Sequence, residues 1–420
     1  MPPANPLALD PVEPVPSFHD SESELGERGA IPLVGRTVVA AKPLPALDGL
    51  TALAAPRPAS AYKASKPAEL LHRGDSDRRY LYWLLLLVLI PLAWSTFDKN
   101  SDDGNKSFLN RLQQTVKDHP EIEPKLEALP ENASLAQLMS VLPNHKLDGA
   151  LLPSDTMAHW GMALLSAAGF LVAVLLLFPL GHAKWYHMAA IALFTGTIGI
   201  IALLAFQWVA INMSGRILIP RSAFGLLITL VQLIGLSYRC ALDPSSNVIL
   251  SALGFTAGVG FCEEVCKALP MVLKARRSGF ASWRGAMLWG LMSGVGFGVS
   301  EGITYSSDYY NGIFGAEIYW VRFVSCVGLH AIWAAAVGVT IFRRQDTLRG
   351  GNHPLEWIMR MATIVIVPMI LHGLYDTLLK QKHDLYALGI ALVSFAWLAI
   401  QIEWAKRQFD GEGGLAFAGR

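Results

Sequence analysis

Between positions 260 and 376 the sequence sets acidic, basic and imidazole side chains inside runs that are otherwise apolar. The segment Gly260-Phe261-Cys262-Glu263-Glu264-Val265-Cys266-Lys267 carries two adjacent carboxylates. Lys267 follows Glu263 by four residues and Glu264 by three, so on a helix its ammonium can neutralise either one. A third carboxylate, Glu301, closes Phe297-Gly298-Val299-Ser300-Glu301. Arg322 and, eight residues on, His330 occupy the next apolar run; His372 and Asp376 share one helix face of the run after that.

These residue types support three chemistries. A carboxylate can take a proton from water while a histidine donates to the charge that develops on a carbonyl oxygen. Alternatively, His330 and His372 with a carboxylate can hold Zn2+, whose bound water becomes the nucleophile. Both routes are hydrolytic. The third is a proton- or cation-coupled transporter, in which buried Glu, His and Asp form a relay. Plainer readings exist for each part: the Glu-Glu-Lys cluster as an interfacial group near the boundary marked by Lys274 and Arg276, and each histidine as a packing residue. A charge near the bilayer centre costs roughly 2.5–3.5 kcal/mol. Several of them on four consecutive segments therefore argue for a shared polar cavity.

The elements that must position these residues are membrane helices. Of the 420 residues 53% are hydrophobic and 16% charged, against roughly 25% charged in soluble domains. Apolar runs at 80–97, 157–180, 188–210, 222–239, 248–273, 285–305, 318–342, 357–379 and 385–404 approach or exceed the ~20 residues that cross a bilayer. The fold class expected is all-α, a polytopic transmembrane helix bundle of about nine spans, since run length excludes a closed barrel. The first four runs hold no acidic side chain in their interiors and the next four all hold ionisable ones. Residues 157–247 accordingly read as non-catalytic spans, 248–380 as the catalytic core, and 381–420 as a last span and tail. In the core, Gly290, Gly294, Gly298 and Gly302 recur every four residues, a stripe that lets a second helix approach closely.

Half of the 24 prolines fall in residues 1–79, which read as a disordered Pro/Ala-rich tail without a cleaved signal. Residues 98–156 form a polar loop with amphipathic pieces, read as a small helical subdomain. A net charge of +1 gives no field for nucleic acid. Cys240, Cys262, Cys266 and Cys326 lack C-x-x-C spacing and read as small packing residues. Basic residues after the fifth run (Lys274, Arg276, Arg277, Arg284), the seventh (Arg343, Arg344, Arg349) and the ninth (Lys406, Arg407) place those three segments in the cytoplasm.

Other intramembrane protease chemistries lack their motifs. No H-E-x-x-H occurs, although Leu147-Asp148-Gly149 superficially matches the second motif of site-two zinc proteases. No G-x-S-G of a rhomboid protease precedes a span with a matching histidine, and Asp376 has no G-x-G-D aspartate as a presenilin-like partner. The ordered set Glu263-Glu264-x-x-Lys267, Phe297-x-x-x-Glu301, Arg322 with His330, and His372-x-x-x-Asp376 resembles the PrsW family of intramembrane proteases. That family is similar to the CAAX prenyl protease and bacteriocin-processing relatives, with motifs of the kind E-E-x-x-x-R, F-x-x-x-H and H-x-x-x-N. Here a lysine stands one position before the arginine, and Glu301 stands in place of the second-motif histidine.

The resemblance covers roughly residues 250–380. It implies cleavage of a membrane-embedded protein substrate, such as an anti-sigma factor-like regulator, by a multi-pass protein of the bacterial inner membrane. It leaves open whether Zn2+ or a metal-free, glutamate-activated water does the work. The catalytic set expected is Glu263, Glu264, Lys267, Glu301, His330, His372 and Asp376, with His330 and His372 as the metal ligands. Glu263 and Glu264 form the water-activating pair and Lys267 tunes their charge. A scaffold that keeps the motifs without activity is a third reading beside protease and transporter.

Overall fold

The computed structural model describes residues 74–97, 104–130, 133–177, 183–215, 222–349 and 354–410. The expected tail falls largely outside them. Every regular element among the described residues is helical. In chain order these are α1 (Gly74–Phe97), α2 (Gly104–Asp118), α3 (Glu123–Glu127), α4 (Leu135–Val141), α5 (Ala158–Leu177), α6 (Trp185–Phe194), α7 (Ile200–Met213) and α8 (Ala223–Leu242). They continue as α9 (Val248–Gly254), α10 (Phe261–Arg277), α11 (Trp283–Tyr305), α12 (Ala316–Trp320), α13 (Val327–Arg343), α14 (Gln345–Arg349), α15 (Pro354–Lys380) and α16 (Asp384–Phe409). Side-chain caps start several of them: Ser222, Asn247 and Ser282 accept from the backbone N–H of Gly225, Leu250 and Gly285, satisfying donors that have no partner inside the helix.

Seven helical stretches are long and apolar enough to cross a membrane: Ala158–Leu176, Trp185–Met213, Phe224–Leu242, Val248–Arg277, Ala316–Arg343, Glu356–Lys380 and Asp384–Phe409. The two other expected spans coincide with α1, apolar over Val88–Phe97, and with α11. The outer helices turn large apolar side chains outward; Leu165 is 75% and Leu176 80% exposed. So large an uncovered apolar surface suits lipid as solvent. The protein is an integral, multi-pass membrane protein. Its centre is the α12–α13 stretch, 83% buried, against 17% for α5 at the rim.

The central pair is α11 with α13. A Cβ at Gly290 would overlap the carbonyl oxygen of Ala334, and one at Gly294 that of His330. Only glycine lets these backbones meet so closely, and the contact sets the height of His330 beside Glu301. The other face of α11 is as tight, because Gly296 abuts Ala192 of α6. A second close approach joins the α9–α10 stretch to α15: a Cβ at Gly260 would lie 2.7 Å from the Met369 carbonyl oxygen, and Gly373 packs on Thr256. That contact brings the Glu263-Glu264 turn to His372.

Three apolar runs that read as continuous α-helix are interrupted by single wide turns, at Thr195–Gly199, Phe255–Gly260 and Val321–Cys326, and a fourth such turn, Ser306–Tyr310, closes α11. Such π-type turns insert a residue and rotate the face that follows. Two of them immediately precede or contain site residues: Phe255–Gly260 lies just before Glu263, and Val321–Cys326 holds Arg322.

The basic segments gather at one end of the bundle. Arg284 pairs with Asp410 at 2.7 Å, Phe280 N–H donates to Gln345 Oε1 at 2.9 Å, and Arg349 Nε donates to the Ala275 carbonyl at 3.3 Å. At the opposite end Lys380 Nζ caps the carbonyls of Ala241 and Asp243 at 2.8 and 2.6 Å. There α2–α4 fold around Ile122, Met139, Leu142 and Leu147, with Ile313 from the core completing the cluster. The backbone fixes this attachment: Leu147 N–H donates to Gly312 O at 2.7 Å, and Leu151 N–H to Phe314 O at 2.9 Å.

Candidate active site

The seven residues singled out from the sequence meet in one place. Glu264 and Lys267 are completely buried and form an ion pair of 2.6 Å on α10. Lys267 Nζ also lies 2.9 Å from His330 Nδ1, above the Phe297 ring at 4.7 Å and the Trp333 ring at 5.6 Å. An ammonium has only protons to give. His330 Nδ1 must therefore accept, and the imidazole proton sits on Nε2, 2.6 Å from Glu301 Oε2. Arg322 holds the other Glu301 oxygen at 2.6 Å, and its guanidinium stacks on Tyr305 at 3.8 Å. Glu301 is thus fixed by two helical segments at once.

His372 is oriented from the other side. Its Nδ1 lies 3.1 Å from Glu264 Oε1, and its ring stacks on Trp333 at 4.3 Å between centroids, with planes 20° apart. The Trp333 N–H is itself anchored by Ser394 Oγ at 2.9 Å. With its Nδ1 proton given to Glu264, His372 presents the Nε2 lone pair to Glu263 Oε2 at 3.6 Å and to Asp376 Oδ2 at 3.4 Å. Lone pairs facing lone pairs repel unless a cation or proton stands between them. Glu263 Oε2 is buried with no hydrogen-bond partner among the described residues.

The geometry divides the two adjacent glutamates. Glu263 lines a cavity of about 530 Å³ together with Glu301, Arg322, His330, His372 and Asp376. Glu264 and Lys267 lie behind that wall and reach it only through the histidines. The cavity is lined by apolar side chains of α7, α8 and the Phe255–Gly260 turn, among them Leu203, Leu204 and Phe255, and extends to Arg111 and Gly149 beside α2–α4. Sequence reasoning passed over several polar lining residues, among them Gln207, Tyr238 and Tyr375. A lone Tyr or Gln in an apolar run carries no spacing signal.

Ligand atoms of Glu263, His330 and His372 lie within 4.8 Å of one another, all three buried. Two imidazoles and one carboxylate are a donor set of catalytic zinc sites, and the unpartnered Glu263 oxygen beside the His372 lone pair marks where positive charge is missing. The residues fit a divalent transition metal. Lys267 donates to Nδ1 of His330, so that ring would ligate only through Nε2, whose proton would first pass to the Glu301 carboxylate 2.6 Å away.

A multi-pass helical membrane protein that buries two histidines and a carboxylate about one cavity has the build of an intramembrane metallohydrolase. The family model described as "PrsW family intramembrane metalloprotease" matches residues 158–401. That match spans more than half of the chain and includes all seven residues, so the chain belongs to the PrsW family of intramembrane metalloproteases. Comparison with curated proteins and with solved structures gives no match.

Proposed function

We propose that the chain is an endopeptidase that hydrolyses a peptide bond of a membrane-embedded regulatory protein, with Glu263 as the general base. The observation that carries the reading is the Glu263 carboxylate, unpartnered at Oε2 and set in the cavity wall 3.6 Å from His372 Nε2. Glu263 takes one proton from a water molecule as the water oxygen bonds to the carbonyl carbon. When the C–N bond breaks, that proton passes to the leaving nitrogen, which departs as an amine. Glu264 holds His372 in the tautomer that keeps Nε2 free, whereas Lys267 donates to His330 Nδ1 and leaves Nε2 as the nitrogen that faces Glu301. Arg322 keeps Glu301 charged and in place, and Asp376 adds negative charge beside His372.

His330 and His372 would hold the metal, with the Glu263 carboxylate beside it as the base and not a ligand, and Zn2+ is the choice imidazole donors favour; when bound it would lower the pKa of water and polarise the carbonyl. Convergence of these groups at one cavity supports hydrolysis over a transport relay, which would string them along a path. The catalytic core is residues 248–380, the α2–α4 subdomain covers the non-cytoplasmic mouth, and the basic end faces the cytoplasm of a bacterial cell. Conversion of a single-span protein to two fragments by purified protein, lost in Glu263→Gln, tests the proposal; cleavage by that variant at the parent rate would overturn it.

A further inference from the structure

Hydrolysis needs a donor for the carbonyl oxygen as well as a base for the water, and most polar groups of the site are already engaged. Lys267 Nζ serves Glu264 and His330, and His330 Nε2 and the Arg322 guanidinium are both held by Glu301. His372 donates from Nδ1 to Glu264, and the Trp333 N–H donates to Ser394. Glu263 and Asp376, when ionised, accept and cannot donate.

Tyr375 is different. It lies on α15 one turn after His372 and beside Asp376, with its ring edge-on to Trp333 at 6.1 Å. It is 4% exposed and lines the cavity, and its hydroxyl has no hydrogen-bond partner among the described residues. A buried hydroxyl left without a partner costs about 1–3 kcal/mol, and phenylalanine would fill the same volume without that cost. Arg322 also keeps Nε unpartnered, but its guanidinium is tied to Glu301 and stacked on Tyr305, which fixes it as a support for that carboxylate.

Resting on the hydrolase reading above, we propose that the Tyr375 hydroxyl is a further catalytic residue, the donor to the carbonyl oxygen of the scissile peptide. As the water oxygen bonds to carbon and its proton passes to Glu263, the C=O π pair moves onto oxygen, where the Tyr375 O–H stabilises it. The pair returns when the C–N bond breaks. A preorganised donor of this kind acts on the transition state more than on the bound substrate.

The test compares wild type with Tyr375→Phe, purified in detergent, by two measurements. With a fluorescence-quenched peptide bearing one apolar span, kcat should fall about 10²–10³-fold while KM stays within about twofold. Binding of an apolar peptide aldehyde, whose hydrate mimics the tetrahedral intermediate, should weaken about tenfold or more, with metal content and Tm unchanged. Parent values of kcat and of aldehyde affinity in the variant would overturn the inference, as would a lowered Tm, which would give the hydroxyl a structural partner. Should wild type itself leave the peptide uncut, the proposed function fails, and aldehyde affinity still decides the role of Tyr375: equal binding to both proteins overturns it.

Discussion

Glu264 Oε1 accepts from His372 Nδ1 at 3.1 Å, joining α10 to α15 across 108 residues of chain, and the same oxygen binds Lys267 Nζ at 2.6 Å. One carboxylate atom thereby sets the tautomer of one histidine and holds in place the lysine that sets the other. Glu264 is a positioning residue in this arrangement, while its neighbour Glu263 faces the cavity.

Replacing Glu264 by Gln should therefore lower turnover by about 10–100-fold through its effect on His372, accompanied by weaker retention of metal. Kinetics and metal analysis on the purified variant check this together. Parent values of both would show that the 3.1 Å contact orients nothing.

Lys267→Met leaves the fully buried Glu264 without its counter-charge. Breaking a buried pair in this way costs about 3–5 kcal/mol, so the single variant should unfold well below the parent in detergent. The double variant Lys267→Met with Glu264→Gln should regain most of that stability and none of the activity. A single variant as stable as the parent would contradict the charge assignment.

Gly294→Ala places a methyl group against the backbone carbonyl of His330 itself. Separation of α11 from α13 should displace His330 from Glu301, abolishing activity and lowering Tm. Gly389→Ala, where nothing lies within 4 Å of the new Cβ, should leave both unchanged. Equal behaviour of the two variants would remove the packing argument.

Contacts among Arg284, Asp410, Phe280, Gln345, Arg349 and Ala275 put three basic segments at one end. Single cysteines at Ser278 and Thr347, in a background without the native cysteines, should resist an impermeant reagent in intact cells and react after lysis. A cysteine at Ser307, at the other end, should react in both. Ready labelling at position 347 in intact cells would refute the cytoplasmic placement.

Much of the site was legible because charge in an apolar run has few explanations. Glu263, Glu264, Lys267, Glu301, His330 and His372 each break a hydrophobic pattern, and the i, i+4 spacing of His372 and Asp376 gives the shared face directly. The helices were legible for the same reason, although α11 shows the limit: its glycines lower the hydropathy that marks a span while letting it pack directly on α13 and α6. Three things had no local signal. The division of labour between Glu263 and Glu264 depends on the wide turn at Phe255–Gly260, which rotates the face that follows, and no residue type announces such a turn. The Glu301 contact with Arg322 depends on another, at Val321–Cys326. Tyr375 emerges only when the donors of Lys267, His330, His372 and Trp333 have been matched to their partners in three dimensions.

The central claim is that Glu263 activates water at a metal-dependent hydrolytic centre. Its most direct test is cleavage of a fluorescence-quenched single-span peptide by the purified protein in detergent, with and without a zinc chelator, beside Glu263→Gln. The account predicts cleavage by the parent protein, loss with chelator, recovery on adding Zn2+, and in Glu263→Gln a rate lower by at least about 10²-fold, with Zn2+ present and the fold intact. Undiminished cleavage by Glu263→Gln, or by the parent protein in excess chelator, would contradict it.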